Sequence, residues 1–295
     1  MQDPSALDGA GGFAEHGDQL VVATRFGITI MNISVPGAPT VSGTFSSSAY
    51  LDGASDVSLS SDGAYAYVSV FNADRLTVMN VADPSNPTYE GSVASGGADG
   101  WLSGATDVAM STSNANIVLV LASTSQRLTS VDVSTPSSPV LVGSVNGGAS
   151  LQGARSLAVG DDGRVFIACA SGRLTIVSVS DPTSPAVVST LQDPALLGGA
   201  SSVVVSGPYV YVAAADSNSV AVVDVSVSTS PQIVGSVTSA ISVALTPSLG
   251  TVPVVSCNDT MLVVDTGSSS GAAGECSRLA WATAGSASSC SNPSA

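Results

Sequence analysis

Lysine is missing altogether from this chain, and histidine occurs once, at His16. Seven arginines stand against 22 aspartates and glutamates, a formal charge of −15. Such a balance argues against nucleic acid, whose phosphates need cationic neutralisation, and against anionic membrane surfaces. Mean hydropathy is positive, yet no apolar run approaches the roughly 18–20 residues of a spanning helix, so membrane insertion is not expected. The chain has no G-x-S-x-G elbow, phosphate-cradling loop or dinucleotide fingerprint. A nucleophilic triad would have to use His16, and the stretch AEHGDQ places that residue in an exposed turn. Aromatic residues make up only 4% of the chain. Trp101, Trp281, Tyr50 and Tyr89 are too few and too unevenly spread for the stacking platforms of a carbohydrate-binding protein.

What is there is a repeat. The segment Leu51-Asp52-Gly53-Ala54, DVSLSSDG, AYAYVSV, RLTVMNVADPSNP, TYEGSV returns in the same order with variations. Its L-x-G-A opening stands at Leu7, Leu51, Leu102, Leu151 and Leu197, and a sixth copy keeps only Ala240. A small polar residue closes the third apolar run of each unit, at Asn32, Asn80, Asp132, Ser178, Asp224 and Asp265. A paired-proline turn follows at Pro36, Pro84, Pro136 and Pro182, thinning to Pro231 alone. Each unit of about 40–50 residues holds four short runs rich in Val, Ile, Leu, Tyr, Thr and Ala, with turn formers between them. No segment has a convincing helical period. Four antiparallel strands per unit, repeated radially, predict an all-β, six-bladed β-propeller of four-stranded antiparallel blades. It would occupy residues 1–267, with a Gly/Ser-rich, Cys-containing tail over 268–295. Cys276–Ala282 is the segment expected to supply the last outer strand and close the ring.

LTIVSVSDPTSPAVVS, from Leu174, and VAVVDVSVSTSPQIVGS, from Val220, resemble the LVIVD-repeat propellers. DVSLSSDGAYAYVSV is similar to the related YVTN-type repeats of surface-layer and other extracytoplasmic propellers. The resemblance reaches to about residue 267 and implies the fold, leaving activity open. Several propeller hydrolases, calcium-dependent lactonases among them, carry a ring of Asp, Asn and Glu at the channel mouth. That precedent makes Asp52, Asp56 and Asp107, with Asp8 beside them in the linkers, candidate calcium ligands. The column through Asp56 continues as Asp107, Ser156, Ser202 and Ser242, so the set is incomplete, and turn capping is the plainer role.

A second column is basic. Arg75, Arg127 and Arg173 precede the third run in three successive units, on the face expected to carry the interblade linkers. They form a candidate patch for a carboxylate-bearing or sulfated partner, protein or glycan, or else a set of rim ion pairs. Small residues at Ala23, Ser69, Cys169, Ala213 and Ser256 suit crowded second strands, and Cys169 reads as a buried small hydrophobe. Gly43, Gly91, Gly143 and Gly235 in the outer runs mark bulges or close backbone approach.

Of the other cysteines, Cys276–Cys290 is the first disulfide candidate and Cys257–Cys276 the second; four cysteines allow three full pairings. The absence of C-x-x-C spacing argues against zinc. The sequons at Asn258 and Asn32 are candidate glycosylation sites. Met1–Gly9 carries neither the basic nor the apolar region of a signal peptide. An extracellular or cell-surface location would therefore mean that a leader was removed or that the chain is a fragment of something longer. Together these features lead to the expectation of a non-enzymatic extracellular propeller, an interaction, adhesion or structural module on a surface, filament or matrix within a larger assembly. The alternatives are a carbohydrate-binding propeller and a calcium-dependent channel-mouth hydrolase. No organic cofactor is expected.

Overall fold

The apolar runs of each repeat are short and bounded by turn formers, so the chain reverses at each one and builds a small antiparallel sheet. The computed structural model describes residues 4–35, 37–95 and 100–238, together with the strands 244–246, 254–257, 260–263 and 280–283 as backbone. Sheet one is Phe13–His16, Gln19–Thr24, Gly27–Asn32 and Thr40–Ser46. Sheet two is Ala54–Leu59, Tyr65–Val70, Arg75–Asn80 and Thr88–Ala94. Sheet three is Ala105–Met110, Ile117–Ala122, Arg127–Asp132 and Val140–Asn146. Sheet four is Ala154–Val159, Arg164–Cys169, Arg173–Ser178 and Ala186–Gln192. Sheet five is Ala200–Ser206, Tyr209–Ala214, Ser219–Asp224 and Gln232–Thr238. In each, the four strands pair in chain order. First strands of successive sheets lie side by side around a central channel, and fourth strands lie outside. The fold is all-β and propeller-like.

The core is the layer between neighbouring sheets. Second strands are covered on both faces, which is why they read as continuous apolar runs and not as alternation: every residue of Ile117–Ala122 is buried. The L-x-G-A linkers lock these layers. Leu51, Leu102, Leu151 and Leu197 are fully buried, each between the sheet before it and the sheet after it. Truncating one such leucine to alanine typically costs about 2–5 kcal/mol. The glycine two residues on has positive φ in each case, between 69° and 79° at Gly53, Gly104, Gly153 and Gly199, a conformation that excludes most other residues. A hydroxyl in each third strand then holds the linker by donating to its carbonyl. Thr77 reaches Tyr50 O at 2.7 Å, Thr129 reaches Trp101 O at 2.6 Å, and Thr175 reaches Ser150 O at 2.6 Å. Ser219 reaches Leu196 O at 2.6 Å, and Thr29 binds Ala6 O in the same way.

The outer-strand glycines have a specific cause. Each follows a bulge in the pairing of strands three and four, and on Gly43, Gly91 and Gly143 the proline turn of the next sheet seats. A Cβ at Gly43 would stand 2.4 Å from Pro84 O, at Gly91 2.6 Å from Pro136 O, and at Gly143 2.2 Å from Pro182 O. Sheet four carries Ser189 instead, whose hydroxyl donates to Ser228 O of sheet five at 2.6 Å.

The expectation of six equivalent blades is met in five. A further four-stranded sheet pairs Ala244–Thr246, Val254–Cys257, Thr260–Val263 and Ala280–Thr283 in order. Its strands are three to four residues long, where the outer strands of the other sheets have seven. It lacks the L-x-G-A opening of the other five units and the proline pair of the first four. The tail strand spans Ala280–Thr283, later than the expected Cys276–Ala282.

Candidate functional site

First strands are sheet edges, and their outward N–H groups need acceptors. In this fold the acceptors come from the preceding sheet. Asp56 Oδ2 accepts from Val108 N at 3.1 Å, and Ser58 Oγ accepts from Met110 N at 3.2 Å. One sheet further on, Asp107 Oδ2 accepts from Leu157 N at 2.8 Å, while its Oδ1 accepts from Val108 N at 2.7 Å. The Ser55 hydroxyl donates to Ala105 O at 2.9 Å and the Thr112 hydroxyl to Gly160 O at 2.6 Å. On the other side, a Cβ at Gly12 would fall 1.6 Å from Asp56 Oδ1, so the Asp56 carboxyl fills the place of the side chain that glycine lacks. The two aspartates thus lace sheets one to four along the wall of a channel of about 1080 Å³.

Asp56 and Asp107 are also hydrogen-bonded to each other. Burial pushes the Asp56 carboxyl well above the ordinary range, and the charge and hydrogen bond of Asp107 push it further. Asp107 is raised by burial as well, an effect opposed by hydrogen bonds from Asp56, the Leu157 and Val108 amides and Ser156. Burial and the neighbouring carboxyl together favour the protonated form of Asp56, the more strongly raised of the two.

Both carboxyls bind protons more tightly in the folded chain than in the unfolded one. Their stabilisation is complete below the unfolded value of about 3.9 and is lost as pH rises through the folded values. Four turn aspartates act oppositely. Asp62, Asp83, Asp181 and Asp224 lie below the ordinary range because the hydroxyls of Ser60, Ser85, Thr183 and Ser226, and nearby backbone amides, bind the ionised form. What they contribute is lost as pH falls through their folded values, below about 3.9. Melting temperature should peak at mildly acidic pH and decline toward neutrality. Asp56→Asn, which mimics the protonated acid, should flatten that decline; an unchanged slope in the variant removes the acid pair as its source.

The structure brings together only two of the three candidate metal ligands. Asp52 stays in the linker, where its Oδ1 accepts from Asn72 Nδ2 at 3.3 Å. Asp8 is exposed and its carbonyl accepts from Arg25 N. Among the described residues no group of three His, Cys, Asp or Glu side chains converges. The six to eight oxygens that calcium takes are not assembled there. His16 ends the first strand of sheet one and lies against the Asp62-Gly63 turn of sheet two.

Arg75, Arg127 and Arg173 open the third strands of sheets two, three and four. The turns before them bond back to the linkers through Phe71 N to Gly53 O, Ser123 N to Gly104 O and Ala170 N to Gly153 O, which sets the arginines and linkers on one rim. Arg75 and Arg127 reach outward, away from the acid pair: Arg75 Nη1 donates to Ser92 Oγ at 2.8 Å, and Arg127 Nη1 to Ser144 Oγ at 3.4 Å. Arg75 also lies 5.9 Å from the centroid of the Tyr50 ring, itself stacked on Tyr89 at 4.0 Å. The charge of Arg173 lies near Cys169, whose fully buried thiol is nonetheless pushed up to about 12 by burial.

Asn32 is exposed, and its Oδ1 accepts from Ser34 N at 2.9 Å and from the Ser34 hydroxyl at 2.6 Å. The same turn is capped by Asn80, Asp132 and Asp224, so this column closes third strands in general. Asn258, Cys276 and Cys290 lie outside the described residues, and Cys257 is described only as the end of its strand.

Comparison with known proteins follows the same lines. The LVIVD repeat model matches residues 53–95, 121–147, 154–193 and 197–239. No curated protein sequence matches. A functionally unknown protein from Desulfotomaculum acetoxidans is similar in structure, with a TM-score of 0.64, 16% identity, and coverage of 87% of this chain and 82% of that one. The β-propeller domain of Swd1 from Myceliophteria thermophila gives 0.63 at 11% identity over 89% and 85% of the two chains. The periplasmic gluconolactonase PpgL of Pseudomonas aeruginosa gives 0.61 at 16% identity over 75% and 67%. At these identities the likeness is one of fold.

Proposed function

This chain belongs to the LVIVD-repeat family, and from that premise we propose a non-catalytic extracellular propeller, a ring of six blades that serves as an interaction or adhesion module on a surface, filament or matrix. One observation carries the reading. The two carboxyls in the channel wall, the groups that a hydrolase would keep free for water or metal, are spent on backbone amides of the next sheet. Their geometry is that of a fastening. Acidity, the lack of lysine and the wealth of small hydroxyl residues support the location.

The rim arginines are the docking patch in this reading. Arg75, Arg127 and Arg173 recur on three adjacent blades. For Arg75 and Arg127 a single serine bond steadies the guanidinium and leaves further donors for a carboxylate or sulfate. Heparin, as a sulfated probe, should bind the wild-type chain at low salt, and replacing all three arginines with serine should weaken binding by about tenfold or more, with added salt having the same effect. Surface plasmon resonance reads this directly. A wild-type chain that ignores heparin, or a triple variant that binds like wild type, removes the patch.

A further inference from the structure

Among the described residues, one arginine of the channel has no carboxylate partner. Arg155 is the second residue of the first strand of sheet four, lines the cavity and is exposed. It makes no hydrogen bond or ion pair among the described residues. The acid pair forms no ion pair with it among the described residues; Asp107 accepts from Leu157 N and Val108 N, and Asp56 Oδ2 from Val108 N. A guanidinium fork thus faces a space of about 1080 Å³ with its donors uncommitted. The wall around it is built from small hydroxyls, Ser55, Ser156, Ser201 and Ser202 among them.

This combination selects a ligand by chemistry. A planar fork pairs with a carboxylate through two parallel bonds. One cation in a chain of charge −15 gives a bare anion little reason to stay, so affinity has to come from further hydrogen bonds. Serine hydroxyls both donate and accept, which matches the hydroxyls of a polyol. The space exceeds the upper end of ordinary small-ligand pockets, about 300–1,000 Å³, so a six-carbon molecule fits with water. We propose that the channel binds a small polyhydroxylated carboxylate, its acid group on Arg155 and its hydroxyls toward the serines of sheets four and five. The site is separate from the rim patch and does not depend on it.

Titration calorimetry of the full chain tests this with three probes: D-gluconate, the neutral polyol D-glucitol, and acetate, which has the charge without the hydroxyls. Gluconate should bind one to one, with glucitol and acetate each weaker by about tenfold or more. Arg155→Gln, at an exposed position, should keep the wild-type melting temperature and lose gluconate by about tenfold or more. Arg155→Lys, with charge but no fork, should fall between the two. No gluconate binding at millimolar concentration, binding indifferent to Arg155→Gln, or acetate binding as well as gluconate would each overturn the proposal. So would loss of gluconate in the rim triple-serine variant, since that would place the anion on the outer rim.

Discussion

Replacing Asp107 with alanine should cost the fold about 1–3 kcal/mol, because it strips the Leu157 amide of its buried acceptor and leaves the Val108 amide only Asp56 Oδ2. Leu157 N belongs to an edge strand and has no second side-chain acceptor, whereas Val108 N keeps Asp56 Oδ2. One buried, orphaned donor is worth about 1–3 kcal/mol, and the contact between the two carboxyls is lost as well. Asp107→Asn retains one acceptor oxygen and should lose about half as much. Asp107→Ser should fold, since Ser156 and Ser202 hold the equivalent positions in sheets four and five. Urea unfolding of the three variants gives the ranking through their midpoints. If alanine costs less than about 1 kcal/mol, the carboxylates do not lace the sheets, and the argument for a fastened, non-catalytic channel goes with them.

Why this lacing was hidden in the sequence is instructive. The column Asp56, Asp107, Ser156, Ser202 was visible, as was its position beside the linkers. Its partners are backbone amides about fifty residues downstream, and an amide leaves no trace in residue identity. Turn capping, the plainer expectation, had the right donor type but the wrong sheet. Features enforced by backbone conformation or close approach were easier to read. The L-x-G-A glycines recur because φ must be positive there, and Gly43, Gly91 and Gly143 because a neighbouring turn occupies the space of a Cβ. The linker clamp by Thr29, Thr77, Thr129, Thr175 and Ser219 went unread, although a polar residue at fixed spacing within an apolar strand was its signal. The arginine column was legible as a rim feature. That Arg75 and Arg127 lean on Ser92 and Ser144 was not, because those serines lie on the fourth strands, beyond the proline turn. The sixth unit had already lost the leucine, the glycine and the prolines, so periodicity alone overstated its likeness to the other five.

Gly143→Val should be at least as damaging as the loss of Asp107, for a steric reason. Its first side-chain carbon would lie 2.2 Å from Pro182 O and 2.9 Å from Thr183 Cα, both backbone atoms of sheet four. Neither can swing aside as a side-chain tip would. Overpacking of this kind costs about 1–3 kcal/mol for a small addition, and a β-branched residue should reach the top of that range or pass it. Gly43→Val and Gly91→Val should behave alike, because Pro84 and Pro136 stand in the same relation to them. Gly235 is the informative contrast. It follows the same bulge, yet among the described residues only Val222 of its own sheet comes within 4.0 Å. At the other side of that seam, Leu7 is 42% exposed where its four counterparts are fully buried. Both sites lie where a sixth blade would pack, one on sheet five and one on sheet one. The proposed ring therefore requires Gly235→Val to cost at least about 1 kcal/mol and Leu7→Ala to be destabilising as well. Neutral behaviour at both positions, measured beside a costly Gly143→Val, would leave five fastened blades with an open seam.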